Sequence, residues 1–413
     1  MTYLVAGLFA LTYVGMAIGR VPGSQVDRAG IAMIVAVVLV ATGALPADGV
    51  AAAVDFPTLL LLGGLMIVSA RVGASGLYDA AAIWIARRAD RPTMLLALII
   101  LVGGLFSAIL VNDVVVFAMT PLLCAGLRLR NADPRPYLFG LAASSNAGSA
   151  ATLIGNPQNI LIGQVGRLGF WRYAADAALP SLAALAICFG VIALVWRSSL
   201  RAAGVPGPEI DKGLRSAKFE VRQATIAGTG ILLLLALFAA PIPREISALL
   251  VAACLIVSRK LPTRMLLDEI DIPLLILFAS LFVINDAFAR TGIPGQAVDV
   301  LASHGFLPQR ISIMAPLMLI MSNTIGNVPA VIMILKVWGG IPQGALAGMA
   351  LLSTLAGNFL LVGSLANLIV AERASAQGVR LTFSDHARAG VPITILSMAA
   401  AGLWLWARGL MPV

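Results

Sequence analysis

Charge is what this chain has least of. Only 11% of its 413 residues are Asp, Glu, Lys or Arg, while 60% are hydrophobic. Soluble domains carry about 25% charged residues, so composition argues against a water-soluble enzyme or binding module. Cysteine is scarcer still. Cys124, Cys188 and Cys254 lie in apolar segments at unrelated spacing, which gives neither a metal-ligand pattern nor a disulfide framework. The two histidines, His304 and His386, fall in predicted loops, so an embedded serine protease lacks its base. No GxGD and no P-loop occur, which argues against an intramembrane aspartyl protease and direct ATP hydrolysis. The opening residues, MTYLVAGLFALTYVGMAIGR, have no basic n-region and no small-residue cleavage site. They read as a retained span.

What is present is apolar sequence in long runs, the mark of a polytopic membrane protein. Candidate spans are 2–19, 29–45, 57–73, 138–166, 176–196, 224–240, 246–258, 273–290, 345–372 and 389–407. Most approach the roughly 20 residues needed to cross a bilayer. Segment 246–258 is short and is expected to begin near Pro243. Two apolar pairs, 93–127 and 311–340, fit either two crossings or one re-entrant hairpin. Segment 74–91 fits an interfacial amphipathic helix or an extension of the preceding span.

The chain also matches itself. At a shift of 216 residues, Arg28 falls on Arg244, Pro46 on Pro262, and Asp55-Phe56-Pro57 on Asp271-Ile272-Pro273. At 215, Asn112 falls on Asn327; at 208, Gly155 falls on Gly363 and Asn159 on Asn367. Offsets held in order over so long a stretch indicate a duplication. The copies are 1–196 and 223–413, joined by a polar linker, 197–222. Each holds five spans and one apolar pair. Five is odd, so the second copy should be inverted, as in many secondary transporters.

Loop charges give an independent check. Of the 28 Lys and Arg, all but Arg167, Arg172, Arg244, Arg290, Arg310, Lys336 and Arg408 fall on one predicted side. The positive-inside rule makes that side cytoplasmic, with the linker inside and both termini outside. The +9 net charge therefore reflects cytoplasmic loops, and a nucleic-acid partner is not expected.

Four polar clusters interrupt the apolar sequence. The first runs from Asn146 to Asn159, NAGSAATLIGNPQN. Gly148, Gly155 and Pro157 weaken the helical ladder there. Asn146, Ser149, Thr152, Asn156 and Asn159 bring groups that hydrocarbon cannot satisfy. Backbone opened at membrane depth survives only when buried in protein or lining a wet cavity. The second cluster is Asn112-Asp113. A carboxylate at mid-bilayer costs about 2.5–3.5 kcal/mol, so Asp113 is expected to face a polar site, bind a cation or carry a proton. The third is Ser322-Asn323-Thr324-Ile325-Gly326-Asn327-Val328-Pro329. The fourth holds Asn358, Gly363, Ser364 and Asn367, without the proline of the first. Interhelical hydrogen bonding alone could explain any one cluster; four in matched positions point to a solute or ion site. Asp286 is expected near a helix end, Lys336 to snorkel or to neutralise an acid, with snorkelling favoured, and both histidines to be solvated.

Asn112 to Pro121 (N-D-x6-T-P), Gly148 to Asn159 (GSAATLIGNPQN), Gly326 to Val331 (GNVPAV) and Leu361 to Asn367 (LVGSLAN) resemble the ion transporter superfamily. That group includes divalent-anion/sodium symporters, citrate transporters, sodium/proton antiporters of the NhaD type and arsenite permeases of the ArsB type. The resemblance implies an all-α polytopic fold of two inverted repeats. Each would hold five membrane helices, one re-entrant hairpin and one discontinuous helix. It also implies a homodimer, elevator-like motion, and no cofactor beyond a coupling Na+ or H+. The hairpin tips near Asn112 and Asn327 would meet the breaks at Gly155 and Gly363. The N-D tip departs from the Ser-Asn-Thr of divalent-anion symporters and looks more like the arsenite permeases, where an ATPase subunit can associate, or their uncharacterised anion-transporter relatives. The expected activity is ion-coupled transport of a small anion, oxyanion or carboxylate across the cytoplasmic membrane. Arsenite efflux, sodium/proton antiport and an ion channel stand as alternatives.

Overall fold

The computed structural model describes residues 1–19, 23–88, 91–202, 220–258 and 260–413. Arg20, Lys212, Arg215, Lys218, Arg259 and most of the expected linker lie outside the described residues. All regular elements among the described residues are helices. Five are long and apolar enough to cross a membrane: Phe56–Ala74, Pro92–Ile109, Phe170–Val195, Ile272–Ala289 and Phe383–Ala407. Shorter apolar helices include Thr2–Ile18, Arg28–Ala41 and Val221–Leu237.

Equivalent sequence makes equivalent local structure in the two halves. Asp55 caps Phe56–Ala74 by accepting from Thr58 N at 3.2 Å. Asp271 caps Ile272–Ala289 by accepting from Leu274 N at 2.9 Å. In each case a proline follows in the first turn, where its missing N–H costs nothing. Each span soon meets a glycine at positive φ, Gly76 at 75° and Gly292 at 76°, a conformation that other residues resist. The chain turns there into a separate helix, Leu77–Arg88 in one half and Ile293–Ser303 in the other. Segment 74–91 is thus no extension of the preceding span. Helix Arg244–Ile256 begins directly after Pro243, as expected.

Both apolar pairs fold as two helices joined by two residues. Pro92–Ile109 and Asn112–Arg128 meet at extended Leu110-Val111. Ile311–Thr324 and Asn327–Val337 meet at Ile325-Gly326, where Gly326 takes φ 97°. Both predicted breaks are present. Helix Arg135–Ser149 stops, and the chain runs non-helically until Pro157–Val165 begins. Helix Gln343–Ala356 stops, passes through a short 3-10 turn at Leu361–Gly363, and resumes as Leu365–Ala376.

Packing between the halves is reciprocal. Arg28–Ala41 lies on Ile272–Ala289, and its counterpart Arg244–Ile256 lies on Phe56–Ala74. Asn112–Arg128 packs on Leu365–Ala376, and Asn327–Val337 packs on Pro157–Val165. Phe170–Val195 packs on its own counterpart, Phe383–Ala407.

The first hairpin sits close against Arg135–Ser149 because both surfaces carry glycine. A Cβ at Gly148 would fall 2.6 Å from the Gly104 carbonyl carbon, whereas a Cβ at Gly63 meets nothing within 4 Å. Gly148→Val is therefore expected to destabilise the protein by about 1–3 kcal/mol, and Gly63→Ala to be near neutral. Thermal unfolding in detergent checks this; equal melting temperatures for the two variants would contradict it.

Candidate solute-binding site

Four helices begin on one cleft. Asn112 and Asp113 open Asn112–Arg128, and Asn327, Val328 and Pro329 open Asn327–Val337. Pro157 and Gln158 open Pro157–Val165, and Ser364 and Leu365 open Leu365–Ala376. All of these residues line the same cleft, with Gly363, Met16, Arg28, Leu274 and Leu277 completing its walls. The cleft encloses about 600 Å³, part of it open to solvent. The first N–H groups of a helix have no partner inside that helix. Four such ends at one place make a concentration of donors and of positive dipole.

A hydrogen-bonded hub behind the cleft holds these ends together. Asn146 Nδ2 donates to Asn358 Oδ1 at 2.8 Å and to Asn367 Oδ1 at 3.2 Å. Its Oδ1 accepts from Ser364 Oγ at 2.9 Å and from Asn112 Nδ2 at 3.4 Å. The residue equivalent to Asn146 in the second half is Thr354. Its Oγ1 donates to Asn159 Oδ1 at 3.0 Å and accepts from Asn156 Nδ2 at 3.2 Å and Gln158 Nε2 at 3.3 Å. Asn367 and Ser364 are the counterparts of Asn159 and Asn156. Each helix before a break thus grips the half-helix after the other break.

Further bonds tie the hairpins to the breaks. Asn112 N donates to Gly155 O at 2.9 Å, and Thr152 Oγ1 donates to Ala108 O at 2.6 Å. Asn323 donates Nδ2 to Ala356 O at 2.9 Å, and its Oδ1 accepts from Leu360 N at 3.2 Å. Ser149 Oγ donates to Asn146 O at 3.0 Å, and Asn159 Nδ2 donates to Thr152 O at 3.0 Å and Tyr173 OH at 3.3 Å. These side chains shape the opened backbone and do not line the cleft.

Of the sequence-predicted set, Asn112, Asp113, Pro157, Asn327, Pro329, Gly363 and Ser364 line the cleft. Asn146, Ser149, Thr152, Gly155, Asn156, Asn159, Asn323, Asn358 and Asn367 form the support behind it. Ser322 is buried, and its hydroxyl has no partner among the described residues. Thr324 is exposed, bonds the Ile320 and Met321 carbonyls, and stands outside the cleft. Buried acceptors Asn112 Oδ1 and Asn327 Oδ1 have no partner among the described residues. Asp113 makes no hydrogen bond or ion pair among the described residues. Arg28 was not anticipated here; its Nε donates to Met16 O at 3.1 Å. Its recurrence as Arg244 was the available signal.

Two expectations need correction. Lys336 neutralises an acid, the alternative to snorkelling: its Nζ stands 2.9 Å from Asp286 Oδ1. Asp286 lies in the last turn of Ile272–Ala289, as expected, where Arg290 Nε also approaches Oδ2 at 2.8 Å. His386 is buried in helix Phe383–Ala407 with Nε2 3.1 Å from Asn358 O, because that helix starts six residues earlier than the apolar run. His304 is exposed, as expected.

A family model described as citrate transporter, CitMHS, matches residues 13–340. The silicon efflux transporter LSI3 of Oryza sativa subsp. japonica is 26% identical over 450 residues, covering 92% of each chain. An uncharacterized transporter of Mycobacterium tuberculosis is 27% identical over 430 residues, covering 99% of each. Among solved structures, the YdaH transporter of Alcanivorax borkumensis shares the fold, with TM-score 0.59 at 15% identity, over 100% of this chain and 99% of that one.

Asn146 makes four side-chain bonds to both halves, while Ser364 contributes one. Asn146→Ala should cost more stability than Ser364→Ala, because each buried group left without a partner costs about 1–3 kcal/mol. Thermal unfolding of both variants checks this; an equal or smaller loss in Asn146→Ala would contradict the hub.

Proposed function

The chain belongs to the citrate transporter family, and on that premise we propose that it is an ion-coupled secondary transporter of a small oxygen-rich anion or its conjugate weak acid. The observation that carries this reading is the meeting of four helix N-termini, two from each half, beside the Asp113 carboxylate. Each N-terminus favours a nearby negative charge by about 0.3–2 kcal/mol. Arg28 adds a full positive charge to the same walls. Asp113 sets the limit, since a multiply charged anion would meet a carboxylate at short range in a low dielectric. A monoanion or an undissociated acid suits the cleft better. Asp113 is also the group to couple transport to a proton or a sodium ion. Asparagine oxygens without partners at both hairpin tips suit the cation or hydroxyl donors of the solute.

The transport cycle follows from the duplication. Residues 1–196 and 223–413 form copies with an odd number of crossings, so the second is inverted and the twofold axis lies in the membrane plane. Reciprocal packing supports this arrangement. Hairpins 93–127 and 311–340 are re-entrant and move with broken helices 138–166 and 345–372 as an elevator against the other spans, in a homodimer in the cytoplasmic membrane. With both termini outside, Met16, Arg28 and Leu274 lie toward the cytoplasm, and the cleft they wall is open inward.

A second reading is efflux of an undissociated metalloid hydroxide of the arsenous acid kind, with an ATPase subunit as a partner. Asn112 Oδ1 and Asn327 Oδ1 favour it, because a carboxylate offers no donor to them and a hydroxylated acid does. The silicon efflux named for the rice relative is in keeping with it.

Flux into proteoliposomes tests both readings, with citrate, succinate, phosphate, sulfate, arsenite and silicic acid under separate proton and sodium gradients. Uptake should depend on one gradient, saturate, and favour the weak acids. Gradient-independent, poorly saturating flux would mark a channel instead. Asp113→Asn should abolish gradient-driven transport while the protein elutes and melts as the parent does. Parent rates in that variant would contradict the coupling role of Asp113.

A further inference from the structure

Arg28 and Arg244 hold equivalent places, at the first turns of Arg28–Ala41 and Arg244–Ile256, yet they make different bonds. Arg244 Nη2 donates to Gly163 O at 2.6 Å, near the C-terminal end of half-helix Pro157–Val165. A cation there meets the negative end of the helix dipole, at a carbonyl that also accepts from Leu168 N at 3.1 Å. Gly163 leaves the room for it: a Cβ would stand 3.0 Å from Arg244 Nη1. Next to it, Gln164 Nε2 donates to Glu245 Oε2 at 2.7 Å. Phe56–Ala74 packs on the same half-helix. The Lys336–Asp286 pair, at 2.9 Å, joins the second hairpin to span Ile272–Ala289.

The equivalent contacts in the other half are not made. The shift of 208 that carries Gly155 onto Gly363 carries Gly163 onto Ala371 and Gln164 onto Glu372, in half-helix Leu365–Ala376. Arg28 does not reach either residue; it donates to Met16 O and faces the open cleft. Ile272–Ala289 is not among the helices closely packed on Leu365–Ala376. Glu372 is exposed. One copy is latched and the other is not, and the unlatched side is the side on which the cleft is walled by Arg28.

We infer that Arg244 and Arg28 are alternate latches of the transport cycle. In the conformation described, Arg244 holds the far side of the site shut. In the opposite conformation, Arg244 releases Gly163 O, and Arg28 leaves Met16 O for the carbonyls around Ala371, beside Glu372. The inference rests on alternating access, as proposed above, and extends it to two named residues. The swap needs no new chemistry. Arg244 gives up the Gly163 carbonyl, and Arg28 trades the Met16 carbonyl for those around Ala371.

The test uses a cysteine reporter in the full chain. Leu277→Cys places a thiol in the cleft wall, in a Cys254→Ala background that removes the exposed native thiol. A membrane-impermeant maleimide is applied from each side in oriented vesicles. In the parent, the reporter should label from both sides as the protein cycles. Arg244→Ala should shift the ratio of the two labelling rates by about tenfold toward the Arg244 side, and Arg28→Ala by a similar factor the other way. Arg244→Lys should restore most of the parent ratio, because an ammonium can also donate to Gly163 O. Gly163→Val should mimic Arg244→Ala with no change of charge. A two-sided reporter whose balance neither arginine moves, or which both move the same way, would overturn the latch alone. A reporter reached from one side in every variant would overturn alternating access and the latch with it.

Discussion

Everything in this fold answers to peptide groups that two interrupted helices leave without a helical partner. Hydrocarbon offers those groups nothing, and an unsatisfied one costs several kcal/mol. Partners come largely from the same half, as where Asn112 N donates to Gly155 O and Asn367 Nδ2 donates to Gly357 O, while side-chain bonds between the halves hold the two breaks against each other. Asn146 reaches Ser364 and Asn367, and Thr354 reaches Asn156 and Asn159. Each break is thus held by a residue from the other half, so neither half can form the site alone. Small residues make the approach possible, as where Gly104 of the first hairpin meets Gly148.

Once the opened backbone is held, its chemistry follows. The side chains that satisfy it are turned inward and are used up in doing so. What faces the cleft is mostly helix N-terminus, with Asp113 and Arg28 as the charged groups among the lining residues. The two carry opposite signs. Support and recognition are therefore divided: most of the amides build the site, and a few line it.

The fold was legible where local chemistry acts alone. Asp-Phe-Pro and Asp-Ile-Pro read directly as helix starts, since a cap and a first-turn proline need no tertiary partner. Gly155, Pro157 and Gly363 read as breaks for the same reason. Less legible was the sorting of polar residues into lining and support, because that depends on which copy faces which. Asn146 and Asp113 look alike as polar residues in apolar sequence, yet one is a buried strut and the other faces the cleft. Lys336 was misjudged because its partner, Asp286, lies fifty residues away on another helix. Arg28 was counted as a loop charge because its place in the cleft wall depends on helices from both halves.

The central claim is that two oppositely oriented copies bring four helix N-termini onto one passenger. A map of the protein in lipid nanodiscs with saturating transported solute tests it most directly. The account predicts solute density touching the first turns at Asn112, Pro157, Asn327 and Leu365, with the copies related by an axis in the membrane plane. Copies pointing the same way, or helices running unbroken through Gly155 and Gly363, would contradict it.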